Sequence, residues 1–234
     1  MAGTVVGSLP ILFFGDLPKA TVATIGINPS RGAFLSSTGS ELTGAKRRFE
    51  TLASLGVQTR EAILSSHADQ AIRAMREYFA PNKPIHPWFK PLTNMLGGFG
   101  ATYESASVVH LDLIQEATDP TWSALDAMNP HAARALLTRD LPFLKWQIEA
   151  FSLQTLICTS KMVTQNVLAM LDAQIVREGV IANLRWLVAV GRAGGRDIDI
   201  AGWNRPLARA TGLKKKDVIV LGAFLRNELG AAPS

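Results

Sequence analysis

Short apolar, β-branched runs alternate along this chain with stretches in which apolar residues recur at helical spacing, and the runs tend to end in polar or small residues. Thr21 to Ile27 (TVATIGI) reads as a buried strand that enters Asn28-Pro29-Ser30 at once. Helices are expected over Ala45 to Leu55 and Thr59 to Phe79, the second ended by Pro81, Pro84 and Pro87. Trp88 to Leu96 predicts a short helix stopped by the glycines of GGFG, and Ser107 to Ile114 (SVVHLDLI) a second strand. Asn129 reads as an N-cap with Pro130 at the first helical position, opening a helix to about Phe151 that Pro142 should kink or break. Thr155 to Thr159 is a third strand, and Ser160 caps a helix through Asp172. LRWLVAV and RDIDIAGW, separated by GRAGG, form a hairpin, and Asp217 to Leu229 a last helix. Strands alternating with helices imply an α/β fold, a three-layer α/β/α domain around a mainly parallel four-stranded sheet. Such sheets bind ligands beyond the carboxyl ends of their strands.

Composition changes this picture little. The 234 residues, 47% hydrophobic, support one domain spanning 1–234. A net charge of +5 suits a polyanionic partner such as DNA. The lone cysteine, Cys158, excludes an internal disulfide and any four-cysteine cluster from this chain alone, and fits a reducing cytoplasm. No basic segment leads the apolar N-terminus and no apolar run reaches about 20 residues, so a soluble protein with neither signal peptide nor membrane span is expected. His67, His86 and His131 lack helical-turn partners, which argues against a metal site. GRAGGR lacks the Lys-Ser/Thr ending of a phosphate loop, and no cofactor is called for.

The strand ends carry the chemistry. Gly26-Ile27-Asn28-Pro29-Ser30 resembles the Gly-x-Asn-Pro-Gly signature of the mismatch-specific and single-strand-selective uracil glycosylases, with Ser30 in place of the last glycine. VVHLDLI is similar to the strand that ends in their base-reading residue, and LICTSKMVTQNVL to their strand, small-residue turn and helix. Gly202-Trp203-Asn204-Arg205-Pro206-Leu207 stands where a second signature follows the last strand, and keeps its final Pro-Leu. The chain thus resembles the uracil-DNA glycosylase-like superfamily from about Pro10 to Leu229. The resemblance implies hydrolysis of the bond between a base and deoxyribose, as in base excision repair, in a pocket that receives the flipped base.

In that chemistry Asn28 orients the attacking water through its side-chain carbonyl, with Gly26, Ile27, Pro29 and Ser30 lining the pocket. Asn-Pro also serves as a plain turn after a strand. Asp112 or His110, two apart and so on one side of their strand, faces the base. An ionised Asp only accepts, so Asp112 calls for a protonated carboxyl in a dry pocket or a base that presents donors, such as a deaminated purine. As a purely structural residue Asp112 would be a cap or ion-pair partner, and His110 a core histidine. Phe34 is the candidate stacking face, with Phe49 the alternative. Asn204 is expected to contact sugar or base, another register placing Trp203 there. Leu207 would wedge into the duplex and Arg205 contact phosphate, unless the segment is only a hairpin exit. Lys46, Arg47, Arg48 and Lys214 to Lys216 contact phosphates or form solvated faces. The competing class is a module of the same fold that binds a flipped base or an abasic site without cleaving it. Oligomeric state is open.

Overall fold

The structure is a computed structural model, described for residues 3–81, 83, 86–181, 183–207 and 213–230. Its centre is a six-stranded sheet in the order β2-β1-β3-β6-β5-β4. β1 (Val22–Gly26), β2 (Val108–Asp112), β3 (Thr155–Cys158) and β6 (Arg196–Trp203) run parallel to one another. β4 (Gln174–Ile181) and β5 (Leu184–Ala193) add an antiparallel hairpin outside β6. The fold is therefore α/β with a mixed sheet, and six strands stand where four were expected. The reason is local: β5 pairs with β6 from Trp186 to Ala193, so the predicted hairpin prolongs the sheet, and the unpredicted β4 closes its outer edge.

Every residue of β1 and β2 is buried, so both faces of the sheet are covered there, as the continuous apolar runs require. β4 has almost no buried residue, and Val176 interrupts its pairing as a bulge between Ile175 and Arg177. Gly194 and Gly195, both at positive φ, turn β5 into β6.

The helices are α1 (Ser65–Arg76), α2 (Lys90–Phe99), α3 (Trp122–Met128), α4 (Pro130–Ala150), α5 (Lys161–Met170) and α6 (Lys215–Gly230). The predicted caps operate. Asn129 accepts from the Ala132 amide at 3.0 Å and Ser160 accepts from Val163, while Gly100 ends α2 in the left-handed region. α4 continues through Pro142, so the expected break does not occur.

The helix expected over Ala45 to Leu55 does not form. The Leu52 amide donates instead to Gly7 O at 2.9 Å, and Ser54 Oγ accepts from the Thr51 amide at 2.8 Å, so tertiary and side-chain bonds take the groups a helix would use. α1 likewise starts at Ser65 rather than Thr59, because Arg60 is drawn to Glu116 at 2.6 Å. Pro84 lies outside the described residues. Among the described residues no helix is long and apolar enough to cross a membrane.

Candidate functional site

All four parallel strands deliver residues from their carboxyl ends to one cavity of about 330 Å³. β1 supplies Ile27, Asn28, Pro29 and Ser30; β2 supplies His110 and Asp112; the β3 exit supplies Thr159 and Ser160; the β6 exit supplies Pro206. Asn28 and Asp112, neighbours only through β1 and β2 pairing, thus line the same hollow.

Asn28 is half-buried and its amide is held in one orientation. Nδ2 donates to Pro29 O at 2.9 Å, Thr118 Oγ1 at 3.0 Å and Glu116 O at 3.4 Å. Two of those partners are carbonyls, which can only accept, so the nitrogen is fixed on that side and Oδ1 is left as the acceptor for anything in the cavity. The loop that holds it is anchored in turn. Glu116, fully buried, takes both guanidinium nitrogens of Arg60 at 2.6 and 2.8 Å. Ser30 has φ of −69°, which any residue adopts, and its Oγ accepts from the Gly32 amide at 3.1 Å. The serine in place of glycine therefore introduces no strain at this turn.

His110 and Asp112 lie side by side, as their spacing predicts, with Nε2 and Oδ1 3.4 Å apart. Gly26 makes room for the pair: a Cβ there would stand 2.3 Å from Asp112 Oδ1 and 2.9 Å from His110 Nε2. Behind them, Tyr103 Oη lies 2.8 Å from Thr24 Oγ1, which lies 2.8 Å from His110 Nδ1. Burial pushes the Tyr103 phenol far above its ordinary range, so its proton stays on. Thr24 Oγ1 also donates to Val109 O at 3.4 Å, so Tyr103, Thr24 and His110 form one buried polar network behind the pair. Asp112 is 3% exposed, and its Oδ2 is buried with no hydrogen-bond partner within the protein.

The walls are aromatic. Phe14, Tyr78, Trp88, Phe89 and Trp122 line the cavity, and Trp88, Phe89 and Phe14 pack edge-on around His110 at 5.1 to 5.3 Å. Trp88 is 37% exposed and stands at the mouth. His86 accepts the Trp88 amide on Nδ1 at 3.2 Å; burial first, and then the Arg48 charge, hold it below the ordinary imidazole range, so it is neutral with its proton on Nε2. Arg48 donates to Tyr78 Oη at 3.1 Å and lies over that ring. Of the basic residues considered for phosphate contact, Arg48 is thus a half-buried part of the lining, while Lys46 and Lys214 to Lys216 are exposed and Arg47 faces Glu50 at 3.6 Å.

Three expectations need correction. Phe34 does not line the cavity; it is 2% exposed and packs on Phe49 in the aromatic core, because its short 3-10 turn directs it inward. Asn204 does not reach the site either. Its Oδ1 accepts from the Arg185 amide at 3.1 Å and its own amide donates to Arg185 O, closing the β5–β6 ladder. Trp203 is 2% exposed, Leu207 is buried, and Arg205 donates to Asn183 O at 2.6 Å, so wedge and phosphate contact are both turned inward here. The segment behaves as a hairpin exit of which only Pro206 touches the cavity.

The aromatic wall was missed in the sequence, although Trp88 offered a signal: it directly follows the proline-rich stretch Pro81 to Pro87, at the very start of its predicted helix. Among the described residues, no group of three or more His, Cys, Asp or Glu side chains could hold a metal ion. No protein-family model matches this chain, and no curated protein matches it at a significant level.

Proposed function

We propose that the protein is a DNA glycosylase of the uracil-DNA glycosylase-like superfamily, three-layered α/β/α, which hydrolyses the N-glycosidic bond of a deaminated or damaged base in DNA. The observation that carries this reading is the meeting, in one aromatic cavity, of the fixed Asn28 carbonyl with the partnerless oxygen of Asp112. The volume is at the low end for small-ligand pockets and suits a single base better than a dinucleotide. Flat rings supply stacking surface, and the carboxylate reads the base edge.

In the reaction the C–N bond breaks and the base leaves with the bonding electrons. Water held by Asn28 Oδ1 adds its oxygen to C1′ of the sugar, and its proton passes to the solvent or to the departing base. Asn28 orients this water without deprotonating it, so the enzyme is slow by the standard of one with a carboxylate there.

A second reading has its own support. Asn204 is engaged by Arg185 rather than by the cavity, which leaves the second signature without a polar group at the site and favours a module that binds a flipped base or abasic site without cleaving. Labelled single- and double-stranded oligonucleotides carrying uracil, hypoxanthine or xanthine, incubated with the protein and treated with alkali, separate the two. Strand scission supports the glycosylase; tight lesion-dependent binding without scission supports the module; failure to bind any DNA at any salt concentration sinks both.

A further inference from the structure

We infer that the cavity selects a damaged base whose recognised edge keeps a ring N–H beside an amino group, as an oxidised guanine does, over the dicarbonyl edge of uracil. The inference rests on the base-pocket reading and specifies the ligand of that pocket.

Asp112 and Asn28 both present acceptors at the strand ends. Asp112 Oδ2 is buried without a protein partner, while Oδ1 lies 3.4 Å from His110 Nε2. Asn28 cannot turn its nitrogen inward, since Pro29 O, Glu116 O and Thr118 Oγ1 hold it. A buried acceptor without a donor is costly, and a ligand that brings N–H groups relieves that cost. A ring that brings carbonyl oxygens on either side of its N–H sets lone pair against lone pair. Arg48 and His86 are donors in the same lining, but each can serve the one carbonyl that both kinds of ring possess. They leave Asp112 Oδ2 without a donor unless the ligand brings one.

Two rings of equal size isolate the difference. Isocytosine carries an amino group in place of the uracil carbonyl that lies between the two ring nitrogens. Titrating the full chain with each, followed by the fluorescence of Trp88 and Trp122 in the wall, should show isocytosine at least about tenfold tighter. In Asp112→Asn, whose amide both donates and accepts, the preference should shrink or reverse. Equal affinities in the wild type, a preference for uracil, or a preference that Asp112→Asn leaves untouched would overturn the inference while leaving a base pocket in place. Binding of neither ring overturns the base pocket itself. Should Asp112→Asn fail to fold by circular dichroism, the wild type decides alone, with pyrimidin-4-one, which has the N–H but neither substituent, expected between the two; any other order counts against the inference.

Discussion

The two halves of the sheet use polar residues in opposite ways. In the parallel half, β2-β1-β3-β6, strands buried on both faces end together, and the side chains just past them have few backbone groups of their own to satisfy. Asn28 and Asp112 are left lining a cavity, and Asp112 Oδ2 has no partner within the protein. In the hairpin half, β4 and β5, neighbouring strands run in opposite directions and their ends must be closed. Asn204 and Arg205, which leave β6 beside the β4–β5 turn, are used for that, bonding to Arg185 and Asn183. A polar residue after a strand is therefore available for chemistry where strands end side by side, and is claimed by the backbone where a hairpin closes.

The comparison breaks most sharply on two asparagines. Asn28→Ala should lower base release about 100-fold or more by removing the group that orients water, whereas Asn204→Ala should change it by no more than about twofold. Single-turnover strand scission measures both, and equal losses would erase the distinction. Next in size is a matter of space. Gly26→Ala places a methyl against Asp112 and His110 and should cost about 2 to 3 kcal/mol in urea unfolding. Val180→Thr, on the exposed outer strand, should stay within about 0.5 kcal/mol.

A smaller effect is expected at the mouth. Trp88→Ala removes a stacking surface that is already partly exposed, so lesion-DNA affinity should fall about tenfold with little change in Tm. The least is expected from Asp199 on β6, where the halves join. Burial first, and then the neighbouring Asp197 charge, raise its carboxyl above the ordinary value. Folding therefore disfavours the charged form, a cost absent below the unfolded-state carboxyl range and present once pH exceeds the raised folded value. Asp199→Asn should raise Tm slightly at neutral pH and leave it unchanged in strong acid; a fall at neutral pH would contradict the sign.

Much of the parallel half was legible because its residues obey local rules. TVATIGI and SVVHLDLI are predominantly apolar, as strands covered on both faces must be, and Asn129, Ser160 and Gly100 punctuate helices by their own chemistry. The outer strand of the hairpin half hid itself for the converse reason. β4 reads QIVREGVI, a mixed sequence on an exposed edge, and only its pairing with β5 makes it a strand. At the site, the spacing of His110 and Asp112 put them together, but the amide clamp on Asn28 comes from Thr118 and Glu116, some 90 residues away in sequence. The hydrophobicity of Phe34 could not reveal whether it faced the hollow or the core. Its turn decided that.

Cys158 lies fully buried in β3, and burial raises its thiol well above the ordinary range. The native fold therefore offers thiol reagents no ready target, and a cysteine introduced on the rim would be the sole site of modification. A fluorophore or spin label attached there would report whether a ligand draws the Trp88 loop towards the strand ends, with no background from the chain's own sulfhydryl.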